Sequence, residues 1–146
     1  MLLLLFVSSA YGAKVEITSD KFYADENASK VFFMDNVKVM KDKDRLLCDL
    51  LVVYFNTKQE TKKYDASGNV RFDIYRNNTH YKGSAKSVEY SVKTTQYTFR
   101  GNAIVHDLTS KRDLFGEEII LNSTTGKASV KSGDKHPSKF IFEMEN

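Results

Sequence analysis

An all-β fold of antiparallel strands, assembled by repeating a two-strand unit and carrying little or no helix, is what this 146-residue chain predicts. Three observations lead there. First, one phrase returns at a fixed interval, as Asp35-Asn36-Val37-Lys38-Val39, Gly68-Asn69-Val70-Arg71-Phe72 and Gly101-Asn102-Ala103-Ile104-Val105, its asparagines 33 residues apart twice over (69 − 36 and 102 − 69). A fixed period of about 20 to 50 residues marks one supersecondary unit stacked on itself. Second, Val70, Phe72 and Ile74 alternate with Arg71 and Asp73, and Val88, Tyr90 and Val92 alternate with Glu89 and Ser91. That period of two belongs to strands and sets the chain apart from helical arrays of similar repeat length. Third, Val, Ile, Thr, Tyr and Phe fill the periodic segments while Gly, Asn, Asp and Ser cluster between them, as strands and turns require.

Taken in chain order, the first element is an export signal. Leu2-Leu3-Leu4-Leu5-Phe6-Val7 is apolar and is followed by small and polar residues from Ser8 to Ala13. Such a run is too short to cross a bilayer, which takes about 20 helical residues. Ala10 and Gly12 are small at the two positions a signal peptidase inspects, so residues 1–12 are predicted to be a signal peptide cleaved before Ala13. Residues 13–146 then form a single domain, because no Pro, Gly or Ser run offers a linker and Pro137 is the only proline.

A second kind of element follows each phrase: a small residue, a charge, then apolar residues at alternate positions. It reads Cys48-Asp49-Leu50-Leu51-Val52-Val53, Ala85-Lys86-Ser87-Val88-Glu89-Tyr90 and Gly116-Glu117-Glu118-Ile119-Ile120-Leu121, with Ser19-Asp20-Lys21-Phe22 as an orphan copy ahead of them. Cys48 fills the slot held by Ala85 and Gly116, and as the lone cysteine it builds no internal disulfide. Ser67-Gly68-Asn69 and Thr125-Gly126-Lys127 lie between one strand-like run and the next. They are read as turn residues that accept positive φ, not as phosphate loops. Phe140-Ile141-Phe142 is the last strand.

Composition removes several function classes. The net charge is +3 and lysines are spread through every unit. A nucleic-acid protein gathers basic residues into a patch with aromatics interleaved, so no nucleic acid is expected. Dispersed cations suit a solvated face and blunted strand edges; the other reading is long-range attraction of an anionic lipid or glycolipid. His80, His106 and His136 fall in different units without zinc spacing, and no G-x-S-x-G, H-E-x-x-H or phosphate loop occurs. The expectation is a protein that is not an enzyme, with no catalytic residues, no metal and no cofactor. Asn27, in Asp25-Glu26-Asn27-Ala28-Ser29, fits an N-x-S glycosylation acceptor, and Asn77-Asn78-Thr79 and Asn122-Ser123-Thr124 fit the plain form too.

The G-N-V-x-F phrases alternating with small-charged-x-apolar strands, behind an export signal and the opening Val15-Glu16-Ile17-Thr18-Ser19-Asp20, resemble the OstA-like family. The similarity runs from about Val15 to Val130 and is strongest from Tyr64 to Phe72 and from Phe99 to Ala103; Asp35 and Ala103 depart from the glycine and valine of the pattern. The resemblance implies a β-jellyroll opened into a V-shaped slab. It also implies a periplasmic bridge that takes lipopolysaccharide from an inner-membrane extraction complex subunit and passes it to an outer-membrane assembly protein.

Alternation places Val37, Val39, Leu51, Val53, Val70, Phe72, Ile74, Val88, Tyr90, Phe99, Val105, Ile119 and Leu121 on the interior face. They are the expected lipid-binding residues, lining a groove for the acyl chains of lipid A, where each buried methylene gains about 0.8 kcal/mol. The first and last strands leave unpaired edges. A head-to-tail contact with a second copy is expected there, through Val15 to Phe22 at one end and Phe140 to Phe142 at the other, with Lys139, Glu143 and Glu145 outside. Two alternatives stand beside the bridge. One is a membrane-anchored receptor subunit or an outer-membrane-component domain of the same pathway; the other is a non-transport β-repeat module that binds carbohydrate or adheres.

Overall fold

Every long strand of this chain kinks near its middle, and the aligned kinks turn one sheet into two facing leaves. The computed structural model describes residues 14–76 and 78–144. The predicted signal peptide, Asn77 and Glu145 lie outside the described residues. Six long strands, β3 (Lys30–Lys41), β4 (Asp44–Phe55), β5 (Thr61–Arg76), β6 (Thr79–Ser91), β7 (Gln96–Asp107) and β8 (Arg112–Asn122), pair antiparallel in sequence order. Short strands cover the two edges: β1 (Glu16–Thr18) and β2 (Lys21–Asp25) lie along the two halves of β3, and β9 (Ala128–Lys131) and β10 (Lys139–Phe142) along the two halves of β8. No helix occurs among the described residues.

The repeated phrase makes the kink. Between the pairs Met34↔Leu50 and Val37↔Cys48, Asp35-Asn36 face Asp49 alone. In the same way Gly68-Asn69 face Lys86, and Gly101-Asn102 face Glu117. Two residues against one is a β-bulge, which bends its strand. Both residues of each phrase are left-handed, with φ of 68° and 51° at Asp35 and Asn36, 82° and 49° at Gly68 and Asn69, and 87° and 47° at Gly101 and Asn102. Gly, Asn and Asp adopt that region most cheaply. The charged residue of the second element then ties the bulge down: Asn36 Nδ2 donates to Asp20 Oδ2 at 2.8 Å and Asn69 Nδ2 to Asp49 Oδ2 at 3.2 Å.

One sequence reading changes here. Gly68-Asn69 have the expected positive φ but do not connect two strands; they sit inside β5, and the ladder with β6 resumes at Val70. A residue pair in this conformation either reverses the chain or bends it, and the continuing partners on both sides decide for bending. Gly126, by contrast, does turn the chain, with φ of 74° and its N–H donating to the Asn122 carbonyl at 2.8 Å.

The small-residue slot is explained by crowding at the bend. Cys48, Ala85 and Gly116 pair with Val37, Val70 and Ala103, and a Cβ on Gly116 would meet Val130 at 2.4 Å. Between the leaves lies one apolar core. In one leaf, cross-strand pairing lines up Val39, Leu46, Phe72, Gly83, Val105 and Leu114 in a single inward row. In the other leaf, Phe33, Leu51, Ala66, Val88, Phe99 and Ile119 form the facing row. Phe72 and Phe99 meet across the gap with ring centroids 4.7 Å apart, an approach that adds about 0.5–1.5 kcal/mol to the burial itself.

Candidate functional site

The thirteen residues assigned to the interior by alternation all lie in the core or pack against it. They divide by depth. Val37, Val53, Val70, Val105 and Ile119 are packed solid. Val39, Leu51, Ile74, Val88 and Tyr90 form walls of an open cleft of about 610 Å³ between the leaves. Phe72, Phe99 and Leu121 border a much smaller void of about 20 Å³ further along, with Ile74 touching both spaces. The cleft lies on the side away from the bend, where hairpins end the leaves.

The cleft is built by three strands of one leaf and four of the other, where Leu51 of β4 joins the wall. Val39, Leu46 and Ile74 come from β3, β4 and β5 of one leaf, and Ala66, Val88 and Tyr97 from β5, β6 and β7 of the other. Alternation alone would have found Tyr64 and Tyr97, which continue the inward parity of Ala66 and Phe99 by two residues; Leu46 and Val15 join through the fold. The rim is polar, with Lys41, Asp44, Arg45, Glu60 and Arg76 around an aromatic and aliphatic interior.

At the rim the Arg76 guanidinium forms an ion pair with Asp44 and donates to the Tyr97 hydroxyl at 3.2 Å. The second Asp44 oxygen accepts the Tyr75 N–H at 2.8 Å. Burial pushes the Tyr97 phenol up to about 12, against the opposing pull of Arg76, so it is neutral at physiological pH and its oxygen accepts a hydrogen bond from the guanidinium N–H. Burial also works against the charge on Arg76, but Tyr97 and Asp44 outweigh it and its pKa rises. Tyr64 is likewise raised, chiefly by desolvation. The two tyrosines are therefore neutral, and the site offers apolar surface and shape with a guanidinium paired to a carboxylate at its edge.

Elsewhere the titratable groups are dispersed. His80 pairs with Asp73, and His106 Nδ1 lies 2.6 Å from Asp113. Among the described residues no three metal-ligating side chains come together, and no helix is long and apolar enough to cross a membrane. Cys48 is buried at the bend, with its thiol pushed up to about 12 by desolvation and by Asp49, which leaves it unreactive.

Comparison with known proteins agrees with this architecture. The chain superimposes on the crystal structure of LptH from Pseudomonas aeruginosa, described as the LptA-homologous periplasmic component of a conserved lipopolysaccharide transport device. The TM-score is 0.78 at 11% sequence identity, over 89% of this chain and 95% of that one. No curated protein sequence matches. The family described as "LptA/(LptD N-terminal domain) LPS transport protein" matches residues 16–127, nearly the whole repeat region. A bent, unclosed antiparallel sheet whose three bulged phrases fall inside that match leaves a single conclusion: this chain belongs to the LptA/LptD N-terminal-domain family of lipopolysaccharide transport proteins.

Proposed function

We propose that the chain is a periplasmic carrier that holds the acyl chains of lipopolysaccharide in the cleft between its leaves and hands the lipid from an inner-membrane subunit toward an outer-membrane assembly protein. The observation that carries this is the cleft itself: about 610 Å³ of space walled by aliphatic and tyrosine side chains and open to solvent. Small-molecule pockets in proteins commonly enclose roughly 300–1,000 Å³ with apolar walls and few polar groups. The polar rim at Lys41, Arg45 and Arg76 suits an anionic headgroup left outside. The same reading serves both placements named in the family description, a free protein or a domain of a larger one.

Copies of the chain join head to tail in this reading. β1 and β2 at one edge and β10 at the other each present an unpaired strand side, and Phe22, Phe140 and Phe142 are exposed there. Such edges accept a further strand by main-chain hydrogen bonding. The contact is heterologous and does not close, so it propagates.

A photo-crosslinking residue at Tyr90 tests the lipid claim in cells. Glycolipid is expected to be captured there and not at Glu89, which points to the outer face; capture confined to position 89 would refute the carrier reading. Sedimentation tests assembly separately, since rods that lengthen with concentration are expected and a strict monomer at high concentration removes the self-contact.

A further inference from the structure

We propose that Asp44, Arg76 and Tyr97 form a crossbar that stops acyl chains partway along the interior and must open at its Tyr97 end before a lipid moves from the cleft toward the last strands. This rests on the reading that the cleft holds lipid. Arg76 ends β5 in one leaf, whereas Tyr97 is the second residue of β7 in the other. The two are not strand partners, because Arg76 pairs with Thr79 while Tyr97 pairs with Tyr90 and Leu121. Their hydrogen bond therefore spans the gap between the leaves.

Arg76 and Tyr97 border both interior spaces. On one side is the cleft of about 610 Å³, reached by Val39 and Tyr90; on the other is the void of about 20 Å³, reached by Tyr81 and Leu121. The bar is thus the partition where the interior narrows from a ligand-sized space to one that holds about a single water.

The bar is anchored unequally. On its own leaf Arg76 is held by the Asp44 carboxylate and by the Tyr75 carbonyl, which accepts from Nη1 at 2.6 Å. Across the gap it has one bond of 3.2 Å to a neutral phenol. A charge-assisted bond to a carboxylate is the stronger kind, so the bar parts at the phenol. Tyr97 itself stays in place, its ring 4.4 Å from Tyr90 and 5.9 Å from Phe99. The long arginine side chain is the moving part.

The test uses purified protein and a fatty acid carrying a diazirine at its terminal carbon, with labelled residues read by mass spectrometry. Wild type is expected to be labelled at Val39 and Tyr90 and not at Tyr81 or Leu121. Tyr97→Phe removes only the hydroxyl and keeps the packed ring; it is expected to raise labelling at Tyr81 and Leu121 about tenfold, the shift one charge-assisted hydrogen bond supports. Arg76→Met is expected to do the same. Equal labelling of the far side in wild type and variants overturns the crossbar, and so does an unlabelled far side in both variants when their circular dichroism matches wild type and their clefts are filled. A wild type that takes no probe into the cleft overturns the lipid reading beneath it.

Discussion

The bend and the mouth of the V are made by different chemistry. At the bend, three bulges align across the sheet, each with two left-handed residues, and at two of them the asparagine amide bonds to a carboxylate, Asp20 or Asp49. Closure there is written into backbone conformation, and small residues such as Cys48 and Ala85 let the leaves meet. At the mouth nothing in the backbone brings the leaves together; tyrosines, hairpin ends and the Arg76 to Tyr97 bond face one another over open space. One side of the molecule is fixed and the other is adjustable, which is the arrangement a clamp around a flexible ligand needs.

The largest effect should come from removing packing near the bend. Phe99 is 1% exposed and stacks on Tyr97 and against Phe72. Phe99→Ala is expected to cost about 4 kcal/mol. Tyr90→Ala, at the cleft wall where space already exists, should cost about half that, because less surrounding structure closes on the side chain. Denaturant midpoints with an unchanged slope measure both. Equal losses would mean that the mouth is as tightly packed as the core.

Next in size is a pair of glycines. Gly68 lies in a bulge with φ of 82°, and a Cβ there would meet the Asp49 Cβ at 2.7 Å; Gly126, in a hairpin beside the mouth, has φ of 74° and nothing within 4 Å. Both alanine variants incur the left-handed penalty of about 1–2 kcal/mol. Gly68→Ala adds overpacking, for a total of about 3 kcal/mol. Thermal unfolding of the two variants should therefore differ, and similar melting temperatures would show that the bend yields as easily as the hairpin.

The third comparison is of titration. Cys48 at the bend and Tyr97 at the mouth are both held protonated, each raised to about 12 by burial first of all. An acid raised in the folded state binds more protons folded than unfolded, so its stabilising contribution is complete below its unfolded pKa and declines as pH rises through the window up to the folded value. For Cys48 that window is from about 9 to about 12, and for Tyr97 from about 10 to about 12. Stability should thus fall above about pH 9, by at most about 1.4 kcal/mol per pH unit for each group. Cys48→Ala should flatten the first part of the decline and Tyr97→Phe only the later part. Denaturation midpoints between pH 8 and 11 check it.

Alternation was a reliable guide to the interior because a strand paired on both sides cannot slip by one residue without exposing its whole apolar set. Its limit was depth. Val70 and Val88 look alike in sequence, yet one is sealed in the core and the other lines the cleft. That difference depends on how far apart the leaves stand, which no local pattern records. Gly68-Asn69 read as a turn for a related reason: the pair has the same φ in either role, and only the partners on β4 and β6 distinguish them. The crossbar was invisible in the sequence because its members are brought together over separations of 32 and 21 residues.

The smallest effect isolates what each asparagine does at the bend. Asn69 contributes both a tolerated left-handed conformation and the bond to Asp49, whereas Asn102 has φ of 47° but only its main-chain N–H reaches Glu117, at 3.5 Å. Alanine at either position incurs the conformational cost; at position 69 it also loses an exposed hydrogen bond to a carboxylate. Asn69→Ala should therefore cost about 1.5 kcal/mol and Asn102→Ala nearer 1. Glycine separates the two contributions, since it restores the conformation without the amide. Asn102→Gly should recover nearly all of the alanine loss and Asn69→Gly only part of it. If both glycines recover fully, the tie to Asp49 contributes nothing and the bend is held by backbone conformation alone.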